Sequence, residues 1–136
     1  MSTITNIAGS DIVKNSRTVI NANFTALNNG KAESLETTNT VTFSATPNFD
    51  LSLGNFQKIV LTGDVTSSTI TNLHAGQKIT FFIFQNGAGG HTFVWPTDVH
   101  GGITIGSDAN KCNIQKFECP GGTTTLYATS TGVINA

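Results

Sequence analysis

Charge is the scarcest component of this sequence. Asp, Glu, Lys and Arg make up 11% of its 136 residues, less than half the roughly 25% of an ordinary soluble domain. Disordered chains combine few apolar residues with much charge; with little charge and nine Phe, this chain is expected to fold. The seven Lys and Arg are scattered from Lys14 to Lys116 with no run, and the net charge is −1. Nucleic-acid binding needs a concentrated basic patch that displaces counterions, so no nucleic-acid partner is expected. Long apolar runs are missing too. The longest, Ile79 and then Phe81 to Phe84, falls far short of the roughly 20 residues of a membrane span, so no membrane partner is expected. The opening residues MSTITNIAGSD lack both the basic and the apolar region of a signal peptide.

Reactive groups are equally sparse. The two cysteines, Cys112 and Cys119, would point to opposite faces of one strand and could not bond to each other. Free buried thiols in a reducing cytosol are the expectation. Zinc sites use C-x2–4-C or H-x3–5-H pairs, and neither spacing links His91, His100, Cys112 and Cys119. No nucleophile elbow or phosphate loop occurs. The stretch Asn86 to Gly90 is glycine-rich, but it joins two apolar strands, which predicts a hairpin turn. Asp98 and His100 lack a third group to form a catalytic constellation. The sequence therefore predicts no enzyme, no cofactor and no metal. Trp95 or Tyr127 could stack on a sugar if exposed, although Trp95 ends an alternating strand and is expected in the core.

What fills the composition is Thr, Ser, Asn and Gly. Branched Thr suits a pleated surface, whereas Asn and Gly suit turns. A low-charge, Thr-rich surface is common where proteins face other proteins in a large assembly. Met1 to Gly9 reads as an extended arm. Ser10-Asp11 then offers a helix cap, and Ile12, Val13, Val19, Ile20, Phe24 and Leu27 fall on one broad helical stripe. Asn28-Asn29-Gly30 is a stop signal, so a helix is predicted over about residues 11 to 28. Read as heptads, Val13, Ser16, Ile20, Asn23 and Leu27 occupy core positions, two of them polar. The stripe fits a helix packed on its own domain or on a neighbouring protein, or a short trimeric coiled coil. From Thr37 onward the period is two and no internal repeat stands out. About nine strands are predicted, with turn signals every 8 to 12 residues as in a sandwich or barrel. Among them are Phe56 to Leu61, Ser68 to Leu73, Lys78 to Gln85, His91 to Trp95, Ile103 to Ile105, Asn110 to Cys119 and Thr123 to Ser130. In Lys78 to Gln85 both faces are apolar, so Phe82 and Phe84 need a cover outside the sandwich core. In Asn110 to Cys119, a bulge near Gln115-Lys116 would bring Cys112, Ile114, Phe117 and Cys119 to one face.

Two stretches carry a resemblance. SDIVKNSRTVINANFTALN, from Ser10 to Asn28, resembles the helix near the start of many phage tail and fibre proteins. Residues 59 to 128 contain IVLTGDVTSSTITNLHAGQKITFFIFQNGAGGHTFVWP and NIQKFECPGGTTTLYA, similar to a β-domain of phage tail fibres and appendages. The two cover about two thirds of the chain. The resemblance implies a place in the virion, after assembly in the bacterial host cytoplasm, and frequent trimers. It carries over no catalytic residue. Tail fibres are usually longer than this chain, which leaves room for a small adaptor or a head decoration protein.

The expected fold is thus mainly β. An antiparallel, jelly-roll-like β-sandwich over 37–136 follows an arm and one short helix over 1–36. The expected function is a non-enzymatic virion structural protein, a tail appendage or adaptor subunit assembling as a homo-oligomer. A capsid decoration (cement) protein stabilising the head and a carbohydrate-binding host-attachment module are the alternatives. The expected partners are copies of itself, as a trimer, other virion proteins of the tail or the major capsid protein, and a host surface glycan. The expected contact residues are Val13, Ile20, Phe24, Leu27, Phe82 and Phe84.

Overall fold

The computed structural model describes residues 13–33 and 37–136, with helix side chains described from Ser16 to Leu27. The expected arm and the Ser10-Asp11 cap lie outside the described residues, as does the side chain of Val13. Contacts divide the chain into two compact units, Met1–Leu35 and Glu36–Ala136.

In the first unit, helix α1 spans Val13–Glu33, extending beyond the predicted stop. Glycine within a helix costs only about 1 kcal/mol relative to alanine, and Lys31, Ala32 and Glu33, all good helix formers, follow Gly30.

The second unit is mainly β, but the antiparallel sandwich expected from the sequence is wrong. The chain winds as a parallel β-solenoid of about 3 turns. The first turn holds β1 (Thr38–Val41) and β2 (Asn48–Asp50). The second holds β3 (Phe56–Leu61), the bridge residue Val65 and β4 (Thr69–Thr71). The third holds β5 (Lys78–Gln85) and Phe93, which bridges Val65 in parallel. Thr38 lies opposite Phe56, Phe56 opposite Thr80, and Asn48 opposite Thr69, all in parallel register. The chain then changes direction through β6 (Val99–His100), β7 (Cys112–Glu118) and β8 (Leu126–Ala128). β7 runs antiparallel to β5 and to β8, and β6 parallel to β8, giving the sheet order β1-β3-β5-β7-β8-β6.

The reason for the error is physical. Alternation of side chains is the same in parallel and antiparallel strands, so strand positions survive while pairing does not. From β1 to β5 the turn signals are corners, and the strand after the next supplies the hydrogen-bonded partner; β7 and β8 are successive strands that do pair with each other. Asn86 to Gly90 is such a corner and not a hairpin. Gln85 ties it, its Nε2 donating to the carbonyls of His91 at 2.7 Å and Gly106 at 3.0 Å. His91 to Trp95 contributes only the Phe93 bridge, and Ile103 to Ile105 forms no strand. Gly54 is needed where the first two coils approach, because a Cβ there would collide with the Thr37 carbonyl.

The bulge expected near Gln115-Lys116 is also absent from β7. Pairing with β5 is unbroken from Lys78 opposite Glu118 to Phe84 opposite Cys112. The conflict is resolved by polar residues facing inward. Asn113 and Gln115 are buried beside Phe117, with Gln115 Nε2 donating to the Ser130 carbonyl at 2.8 Å and Asn113 Oδ1 accepting from Gly106 N–H at 2.8 Å.

The core is aromatic at its centre. Phe81 is fully buried and meets Phe49, Trp95 and Phe117 edge-on, with ring centroids 5.1, 5.3 and 5.6 Å away. Trp95 is half-buried, and its Nε1 donates to the Ile103 carbonyl at 2.7 Å. A Cβ on Gly102 would strike the Trp95 ring at 2.6 Å.

Cys112 and Cys119 are free and buried. Burial pushes the Cys112 thiol up, with Lys58 pulling weakly the other way. Since the thiolate is the reactive form, a maleimide reagent should label the native chain slowly at both positions and the denatured chain completely. Replacing both cysteines by alanine should lower stability by roughly 1–3 kcal/mol in urea denaturation.

Candidate functional site

Two apolar surfaces remain uncovered, one in each unit. On α1, Ile20, Phe24 and Leu27 are 40%, 69% and 55% exposed. Spacings of three and four residues put them on one helix face. Together they form an exposed apolar stripe on α1. Three of the six predicted contact residues therefore share one surface. Val13 lies on the same element, but its side chain is outside the described residues.

In the β unit, Phe82 and Phe84 project from the outer face of β5, because Ile79, Phe81, Ile83 and Gln85 take the inner positions. They are half-buried rather than open. Phe82 packs edge-on against Phe56 at 5.9 Å, and the Lys58 ammonium sits 5.1 Å from the centre of the Phe84 ring. Their neighbours on β3 and β7 thus supply part of the expected cover. What remains is a groove of about 450 Å³ between Phe56, Thr80, Phe82, Ile114 and Lys116.

Sequence reasoning missed a row of polar and aromatic side chains crossing the same face. Lys78 stands opposite Glu118, Glu118 opposite Tyr127, and Tyr127 opposite His100. Lys78 Nζ pairs with Glu118 at 3.6 Å, an exposed contact of little energetic worth. Tyr127 is 45% exposed and stacks on His100, the rings 5.3 Å apart and inclined by 21°. No spacing in the sequence reveals this pair, because it depends on the parallel pairing of β6 and β8, with β7 between them in the chain.

Carboxylates act as turn caps. Asn72, at 2.8 Å, and then Ser52 hold the Asp50 carboxyl below its ordinary 3.8. The Thr92 N–H, at 2.8 Å, and its hydroxyl, at 3.1 Å, do the same for Asp64. A carboxylate whose pKa is depressed by folding stabilises the fold above its unfolded value. That contribution is lost as pH falls through the folded value. The urea midpoint should therefore hold steady down to about pH 5 and fall below about pH 4. Asp64→Asn should flatten part of that fall.

Among the described residues no group of three His, Cys, Asp or Glu is placed to hold a metal ion. No described helix is long and apolar enough to cross a membrane. His91 Nε2 lies 3.1 Å from the Asn86 side-chain oxygen in a corner, while His100 lies in the aromatic stack.

No curated protein and no solved structure matches the chain. Residues 38–124 match the family model described as "Putative phage tail fibre C-terminal domain". That span begins at β1, contains all three solenoid turns and runs through β7. Because the match takes in well over half of the sequence, the chain belongs to this phage tail fibre domain family, and its role is that of a phage tail structural protein.

Proposed function

We propose that the chain is a tail appendage or adaptor subunit that works as a homo-oligomer, a trimer being the expected form. The observation that carries this is the exposed Ile20, Phe24 and Leu27 stripe on α1, in a chain whose β unit belongs to a tail fibre domain family. Most helical stability in proteins comes from packing an apolar face, so the stripe calls for a cover, which further copies supply in a symmetric bundle. The outer face around Phe82 and Phe84 is the second contact surface, toward another virion protein. Sedimentation equilibrium should give a trimer, and gold-labelled antibody should decorate tails in electron micrographs. A monomer at all micromolar concentrations, or label confined to heads, would overturn this reading. The latter outcome would instead support the capsid decoration role.

A second reading, host attachment through a surface glycan, draws on the exposed His100–Tyr127 stack. An aromatic face beside the Glu118 and Lys78 side chains offers the stacking and hydrogen-bonding groups that sugars use. A glycan array probed with the purified chain and with Tyr127→Ala tests it. Binding lost in the variant supports attachment, and an array without signal removes it.

A further inference from the structure

The corner from Asn86 to Gly90 gathers three donors on one side-chain oxygen. Asn86 Oδ1 accepts from the Ala88 N–H at 3.0 Å and the Gly89 N–H at 3.1 Å, and His91 Nε2 lies 3.1 Å away. The two backbone donors fix which end of the amide is the oxygen. That oxygen carries no hydrogen, so the His91 ring must present Nε2–H to it. His91 is held in place by Gln85, whose Oε1 accepts from the His91 N–H at 3.2 Å and whose Nε2 donates to its carbonyl at 2.7 Å. Gln85 is buried, so this anchor is built into the fold. Three N–H groups on one carbonyl oxygen draw electrons from its carbon. They also stand where negative charge gathers when a nucleophile adds to that carbon.

The nucleophile is the next nitrogen in the chain. Attack by Gly87 N on Asn86 Cγ closes a five-membered ring. Among the described residues the Gly87 N–H donates to no acceptor, while the main chain before it is fixed. The Asn86 N–H donates to the Leu61 carbonyl at 3.2 Å, and the Asn86 carbonyl accepts from the Asn110 N–H at 2.9 Å. Gly87 is exposed, and no side chain shields its nitrogen. The leaving group is free as well. Asn86 Nδ2 donates to no group among the described residues, and it is not a buried atom.

We infer that Asn86 is a self-modification site, at which the folded corner promotes loss of the side-chain amide through a cyclic imide with Gly87. Gly87 N gives its proton to solvent base and bonds to Asn86 Cγ. The oxyanion on Oδ1 is held by the Ala88 and Gly89 N–H groups and by His91 Nε2–H. It collapses as the Cγ–Nδ2 bond breaks, and Nδ2 takes a proton from water and leaves as ammonia. Water then opens the ring at either carbonyl, leaving aspartate or isoaspartate at position 86. The product exchanges a neutral amide for a carboxylate, and the same three donors favour that charge in the aspartate form. His91 is the catalytic residue of this step, and Gln85 is its positioning residue.

Peptide mapping by mass spectrometry tests it on the full chain, incubated at neutral pH in the native state and in urea. Asn86 should convert about tenfold faster in the native chain than in the denatured one, with isoaspartate among the products. His91→Ala, with its urea midpoint close to that of the parent, should lose most of that acceleration. Gly87→Ala gives a second reading, because a Cβ there meets only Asn110 Oδ1, at an ordinary 3.8 Å, and the variant should fold. It should slow the native reaction by crowding the attacking nitrogen. A native rate no higher than the denatured one overturns the inference, as does a full rate in folded His91→Ala. If His91→Ala does not fold, a full native rate in Gly87→Ala overturns it.

Discussion

Phe81→Ala should be the most damaging single substitution in the β unit, with a loss of about 3–5 kcal/mol in urea denaturation. The side chain is fully buried and touches three other aromatic rings from three different parts of the chain. Phe49 comes from the first coil, Trp95 from the third, and Phe117 from the antiparallel strand that follows. Truncation opens a cavity that these rings cannot close without leaving their own contacts. A loss of this size is comparable to the whole stability of many small domains, so the variant should be largely unfolded near 37 °C. A loss below about 1 kcal/mol would mean that the coils are not held together at this point.

The second large effect concerns association. Changing Ile20, Phe24 and Leu27 together to serine should weaken self-association by on the order of 100-fold or more. Burying each such side chain is worth roughly 1.5–3 kcal/mol, and tenfold in affinity corresponds to about 1.4 kcal/mol. Sedimentation should shift from oligomer to monomer at micromolar concentration. The urea midpoint of the β unit should stay in place, because among the described residues the core and the side chains packed on it lie between Val41 and Ala128. A drop in that midpoint would instead mean that the helix stripe is part of the β core.

Most strand positions could be read from the sequence. Phe56 to Leu61 and Lys78 to Gln85 form strands as their alternation predicts. The core could be read only in part: alternation separates Phe81 and Ile83 from Phe82 and Phe84 in β5, but nothing local marks the polar Asn113 and Gln115 of β7 as buried. Pairing could not be read, because it is set by which edge each strand meets in the next coil. Side-chain ladders carry a trace of that information. The Asn39 amide donates to Gln57 Oε1 at 2.9 Å across neighbouring coils, as Asn48 does to Thr71. Amide and threonine residues recurring at matched positions of successive strands are what a parallel stack rewards, and a hairpin reading overlooks them. The helix stripe was readable because its period is fixed by the helix itself. The His100–Tyr127 stack was not, because two distant short strands create it.

The most direct test of the functional account is the number of copies of this chain in purified phage particles, measured by quantitative mass spectrometry of intact virions and of separated tails. A symmetric tail subunit should occur in a few to tens of copies per particle, in multiples of its oligomer, and should stay with the tail fraction. Absence from particles, or hundreds of copies that follow the heads, would contradict it.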